Sequence, residues 1–403
     1  MLGIDVAFRT FSGRRLTPQV VPAISTFVVK IFELCNINCT YCYMYNLKDV
    51  SYLKRPKSMS PEIRDAMIAR IREHARQHKL EHIAIQIHGG EPLLAGKAYI
   101  EDWVTAVRNG LSSYVQVRLS MQTNGILLDA EWADLLGRLG IGVGISIDGP
   151  KPHNDKYRVD HSGAGTYDRA IAGLRHLAQK RDGRLDATVL SVANPDISPT
   201  ALWEFWIETG ATNFDFLLPH HTHDDPPPFD RLALAGWMIE LFDLWWRHDN
   251  PVLEIRYFRN IINLILGAQF SMDYLGGKPT GLAVIESDGA ITGYDTLRAC
   301  AEGLIELGMT VFNQSLDDVR THPIFRLCNH SGAFLSEKCA GCRVHNVCGG
   351  GFITHRYSRA SGFNNPSVHC DSLFAIISHI EQRITEELHL TAKSERSISM
   401  NAL

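Results

Sequence analysis

Two periods of apolar and polar residues run along this chain. Short apolar, β-rich runs predict strands at Thr26–Glu33, His82–His88, Tyr114–Gln122, Gly142–Ile147, Leu185–Val192 and Asn213–Leu218. Between them, helix-like segments fall at Pro61–His78, Lys97–Gly110, Asp129–Leu139, Tyr167–Lys180 and Pro199–Thr209. Ser60-Pro61, and Thr166 ahead of Asp168, are helix-start signals. Strand alternating with helix implies a parallel sheet. Six such units predict an α/β fold, a partial (β/α)6 barrel smaller than the eight-stranded form.

The pattern changes after the sixth strand. Asp224-Asp225-Pro226-Pro227-Pro228 reads as a linker, because consecutive prolines stop both helix and sheet. Periodic aromatics from Leu232 to Arg247 predict a hydrophobic bridging helix. A turn-rich module with the remaining six cysteines follows. The expected organisation is an N-terminal segment (1–20), a barrel (21–228), a helical bridge (229–280), a cysteine-rich module (281–375) and a C-terminal helix and tail (376–403), fraying after Lys393. No internal repeat or low-complexity segment stands out.

Composition narrows the classes. The 403 residues are 45% hydrophobic and 21% charged, as in soluble globular proteins. A formal charge of −4 argues against nonspecific nucleic-acid binding. No apolar run is long enough to span a bilayer, and Met1–Arg15 lacks a signal-peptide core. Seven of nine cysteines fall in two groups, which suggests metal ligation in a reducing compartment, hence a cytoplasm.

The chemistry-bearing motifs all follow predicted strands, where barrels place their active sites. Cys35, Cys39 and Cys42, spaced C-x3-C-x2-C, follow the first. Three thiolates suit an iron–sulfur cube with one iron left open, since a closed cluster takes four. Structural zinc or unrelated core thiols are the alternatives. Gly89-Gly90-Glu91-Pro92 follows the second strand, Gln122-Thr123-Asn124-Gly125 the third, Ser146-Ile147-Asp148-Gly149 the fourth and Leu217-Leu218-Pro219-His220 the sixth. Cys339, Cys342, Cys348 and Cys370 form the second set, able to close a cluster or to bind zinc. His220, His221 and His223 lack an acidic or thiolate partner at metal spacing and read as rim or substrate contacts.

The cysteine loop, with Tyr41 just before its last cysteine, resembles the signature of radical S-adenosylmethionine (SAM) enzymes. That resemblance implies a 4Fe–4S cluster on Cys35, Cys39 and Cys42 whose free iron binds SAM. It further implies SAM contacts from Gly89, Gly90, Glu91 and Pro92, with Glu91 toward the ammonium. Ser146 and Arg158 would hold ribose and carboxylate. Gln122 and Asn124 would meet ribose or methionine groups, and Leu217 would line the adenine pocket. The second set resembles a SPASM domain and implies one auxiliary 4Fe–4S cluster on Cys339, Cys342, Cys348 and Cys370. A second auxiliary cluster is not expected, because Tyr294 and Phe352 stand where ligands would fall and Cys300 and Cys328 match no slot. Asp295 takes the place of an aspartate that can act as a base.

A narrower resemblance is to cyclophane-forming FxsB-type peptide maturases. It rests on His88–Gly96, Asp215–His220, Cys348–Gly351, His355-Arg356-Tyr357 and Gly362–Val368. It implies a C–C crosslink between an aromatic ring and a neighbouring Cβ of a ribosomally made precursor peptide. His221-Thr222-His223-Asp224 departs from the Thr-Trp-Asp of that group, which leaves ether, C–N and thioether bonds open. The other readings are a sulfatase-maturase-like dehydrogenase making formylglycine, and a non-catalytic iron–sulfur carrier. The expected partners are the peptide, an external one-electron reductant of flavodoxin or ferredoxin type, and a separate leader-recognition protein unless the barrel or SPASM module reads the leader, since too few residues precede the first strand for a recognition domain.

Overall fold

A computed structural model describes residues 21–178, 185–270 and 272–400. The N-terminal segment 1–20 and the end of the helix expected at Tyr167–Lys180 lie outside the described residues. Six parallel strands form in chain order: β1 Thr26–Phe32, β2 His82–Gly89, β3 Gln116–Thr123, β4 Ile141–Ser146, β5 Leu185–Val192 and β6 Ala211–Leu217. Each lies within three residues of its expected bounds at either end. Helices on the outer face separate them, and their starts have chemical causes. Ser60 Oγ accepts from Ile63 N at 3.3 Å, and Asp129 Oδ1 accepts from Trp132 N at 2.7 Å.

The sheet is larger than six strands. β7 (Glu254–Ile255) adds in parallel to β6, and β8 (Leu282–Ile285) adds in parallel to β1, with Thr26 opposite Leu282. β9 (Ala290–Thr292) and β10 (Glu306–Thr310) continue antiparallel. The cysteine-rich module therefore grows out of the barrel sheet, and residue 281 is not a break in it. This differs from a separate module because the four-residue run Leu282–Ile285 is too short to read as a strand in isolation. A short helix at Lys151–Tyr157 was also not foreseen.

The aromatic bridge forms a helix over Ala233–His248, packed on Pro199–Glu208 and on the final helix, Cys370–Met400. Phe242 meets Trp246 and Phe258 at 5.4 and 5.3 Å, as the hydrophobic reading expected. The final helix continues past Lys393, where fraying was expected. Among the described residues, no helix is long and apolar enough to cross a membrane.

Candidate active site

The loop after β1 is fixed by backbone bonds. Asn38 N and Thr40 N donate to the carbonyls of Val159 and Tyr157 at 2.7 and 2.9 Å, and Cys42 N donates to Cys39 O at 3.0 Å. Burial pushes the Cys35 and Cys39 thiols up to about 12 and 11 and raises Cys42 as well. Three buried thiolates need a cation to be stable. Among the described residues, no three sulfurs of either cysteine set lie within 4.8 Å of one another. A zinc ion at Zn–S of about 2.3 Å draws sulfurs to about 3.8 Å. The thiols of both sets are free of disulfides and are the donor type of an iron–sulfur cluster.

Gly89 and Gly90 are required by the cysteine loop itself. A Cβ on Gly89, at φ +151°, would lie 2.1 Å from Phe32 O; one on Gly90 would lie 2.3 Å from Leu34 O. The two loops thus touch backbone to backbone. Glu91, expected to face a ligand ammonium, is turned inward instead. It is buried and joins β2 to β3: Oε1 accepts from Leu93 N (3.0 Å) and Thr123 Oγ1 (2.7 Å), and Oε2 from Asn124 N (2.8 Å). Pro92 starts the short 3-10 turn that this carboxylate caps.

The other expected residues gather on the same rim. Asn124 Nδ2 donates to Asn36 Oδ1 at 2.8 Å and approaches Cys35 Sγ at 3.8 Å. Gln122 Nε2 donates to Ser146 Oγ at 2.8 Å. Arg158 is buried and donates to Tyr41 OH at 2.9 Å; the same hydroxyl donates to Asp148. Tyr41 is therefore locked inward by an acid and a guanidinium. Gln122 and Leu217 line a cavity of about 500 Å³ together with Tyr43, His88, His220, Arg256, Tyr274, Asp295 and Phe352.

Asp295 belongs to a buried charge cluster. Lys30 Nζ lies 2.9 Å from its Oδ1. Burial alone would raise this carboxyl, but Lys30, Arg298 and His88 outweigh it and hold it below the usual range. Arg298, fully buried, donates to Asp49 (2.7 Å), Ser51 (2.9 Å) and Glu286 (2.9 Å), tying the cysteine-loop side to the sheet extension. Burial lowers His88 to about 4, so this imidazole is neutral, and its Nδ1 has no hydrogen-bond partner. Lys30, His88 and Arg298 were not singled out from sequence. The available signal was a lysine inside the apolar run Phe27–Phe32.

The second set is brought together as expected. Cys348, pushed up to about 12 by burial, senses Cys370, Cys339 and Cys342. Buried Arg356 stands beside Cys339 and Cys348. Cys300 and Cys328 are buried thiols, and Cys300 senses Cys328. Tyr294 bonds Thr280 at 2.6 Å, and Phe352 packs on Tyr274 at 5.3 Å, so aromatics occupy both positions that lack a ligand. His220 meets Tyr43 and Phe352 edge-on, each at 5.5 Å, while His355 is fully buried with both ring nitrogens unpartnered. His223 Nε2 bonds Pro366 O at 2.8 Å.

Residues 29–196 match the radical SAM superfamily. The chain is 25% identical over 351 residues to a cysteine-type anaerobic sulfatase-maturating enzyme of Clostridium novyi, covering 84% of this chain and 90% of that protein. It is 23% identical over 379 residues to a serine-type counterpart of Bacteroides thetaiotaomicron, covering 88% of each. In fold it is similar to native anSMEcpe with bound AdoMet, at TM-score 0.78 and 21% identity over 91% of this chain and 99% of that one. Streptococcus suis SuiB bound to precursor peptide SuiA is also similar, at TM-score 0.60 and 16% identity over 87% and 76%.

Proposed function

We propose that this radical SAM enzyme oxidises a side chain of a peptide by two electrons, and that the reaction is dehydrogenation of a Cys or Ser toward formylglycine. The likeness to sulfatase-maturating enzymes covers 84% and 88% of the chain, more than the barrel alone, and it favours this reaction over the crosslink expected from sequence. A role confined to electron carriage does not fit an enzyme family.

A 4Fe–4S cluster and SAM, when bound, supply hydrogen-atom abstraction. On this reading Cys35, Cys39 and Cys42 hold the cluster. Gln122, Asn124, Ser146, Arg158, Leu217 and the Gly89–Gly90 backbone surround SAM, with Glu91 and Pro92 bracing that loop and Tyr41 placing Arg158. The side chain loses one hydrogen atom, one proton and one electron. A Cys becomes a thioaldehyde, which water converts to the aldehyde with release of hydrogen sulfide; a Ser becomes the aldehyde directly. The observation that carries the reading is Asp295, an ionised carboxylate in the wall of the shared cavity, suited to take the proton. An auxiliary cluster on Cys339, Cys342, Cys348 and Cys370 would take the electron. One stacked pair, Tyr257 and Tyr274 at 5.3 Å, separates it from the cavity: Tyr274 lines the cavity and Tyr257 senses Cys348. An external one-electron reductant would complete the system, with the peptide's leader read by the barrel, the SPASM module or a separate protein.

The second reading, a ring-to-Cβ crosslink, draws support from the aromatic cavity wall of Tyr43, His220, Tyr274 and Phe352. Anaerobic incubation with SAM, reductant and peptides carrying Cys, Ser or aromatic residues tests both. An uncrosslinked aldehyde supports the first; loss of two hydrogens within a ring–side-chain crosslink supports the second.

A further inference from the structure

We infer that Lys30 is the positioning residue for Asp295: from behind the cavity wall it supplies the counter-charge for this carboxylate. The inference rests on the reading of Asp295 as the base.

Lys30 Nζ lies 2.9 Å from the buried Asp295 Oδ1. The ammonium also donates to Met44 Sδ at 2.7 Å, a weak acceptor. Asp295, His88 and Tyr43 line the cavity, and Lys30 stands behind them with a fully buried side chain. A buried ammonium held by a thioether and one carboxylate is poorly compensated as a structural device. As a local field it is well placed, because it acts on Asp295 from the side away from the cavity.

The other groups around Asp295 do not replace it. Arg298, on the same turn, is committed to Asp49, Ser51 and Glu286. Glu286 at the end of β8 and Glu33 beyond β1 are both acids, and both sense Arg298. His88 from β2 is neutral, and Tyr43 from the cysteine loop is a buried phenol whose pKa burial raises. The step is a heterolytic transfer: the substrate X–H bond breaks, an O–H bond forms on the Asp295 carboxylate, and no electron moves in it.

The test uses the full chain with its clusters, as wild type, K30M, K30Q, K30R, D295N and K30M/D295N. Infrared spectra at neutral pH report protonated carboxyls, and subtraction of the D295N spectrum isolates Asp295 from other buried acids. The expected result is no Asp295 carboxylic-acid band in wild type or K30R, and a new band in K30M and K30Q that K30M/D295N lacks. The acid limb of peptide oxidation in K30M then moves up by about 1–3 pH units, with iron content and peptide affinity unchanged. An ionised Asp295 in folded K30M and K30Q, or an unshifted acid limb, overturns the inference. Wild type that oxidises no peptide removes the functional reading instead, and the infrared result still decides what Lys30 does.

Discussion

Glu91 and Asn124, 33 positions apart in sequence, are joined by a 2.8 Å bond from the Asn124 amide to the Glu91 carboxylate. With Leu93 N and Thr123 Oγ1 on the other oxygen, the bond makes this acid a brace between the loops after β2 and β3. Replacing Glu91 by Ala leaves buried donors without acceptors. Each such orphan costs about 1–3 kcal/mol, so E91A is expected to lower stability by at least about 2 kcal/mol, read from denaturant midpoints under anaerobic conditions.

Gly90→Ala addresses the contact between the glycine and cysteine loops. Its Cβ would meet Leu34 O at 2.3 Å and Tyr45 OH at 2.0 Å, and the carbonyl belongs to the residue before Cys35. The variant is expected to lose the first cluster and keep the second. Iron analysis should fall from about eight to about four atoms per chain, with the remaining iron sensitive to C348A.

The spare thiols are expected to be silent. Cys300 and Cys328 are buried, and Cys300 senses Cys328; as neither fits a ligand slot, C300A/C328A should retain about eight irons per chain. About twelve irons in wild type, falling to about eight in the double variant, would make them ligands.

The buried imidazoles predict a pH trend in stability. Burial depresses His88, His220 and His369 to about 4. The unfolded chain protonates these groups near pH 6.5, so between pH 6.5 and 4 the unfolded state binds more protons. Stability then falls as pH falls, by up to about 1.4 kcal/mol per pH unit per group. Urea midpoints at pH 7, 6 and 5 should decline, and H220Q should flatten the slope.

Much of this fold is legible in the sequence because the six barrel units obey local rules. Leu185–Val192 is a strand from its apolar run, and Pro61 starts a helix because Ser60 caps it. The cysteine sets are legible because spacing along a loop limits which metal it can hold. What is not legible depends on distant partners. Leu282–Ile285 is a strand because β1 offers it an edge. Gly89 and Gly90 read as ligand-facing, yet their backbones meet the cysteine loop. Glu91 reads as a partner for a ligand ammonium until Thr123 and Asn124 are seen to close over it. Lys30 gains meaning only when Asp295, far along the chain, arrives beside it.

The central claim is a two-electron oxidation of a peptide side chain with Asp295 taking the proton. High-resolution mass spectrometry of Cys- and Ser-containing peptides, incubated anaerobically with SAM and reductant, tests it most directly in wild type and D295N. The account predicts an uncrosslinked aldehyde with wild type. With D295N it predicts at least about a hundredfold less aldehyde, while 5′-deoxyadenosine still forms. Aldehyde formed equally by D295N, or a wild-type enzyme that cleaves SAM and leaves every peptide unoxidised, would contradict it.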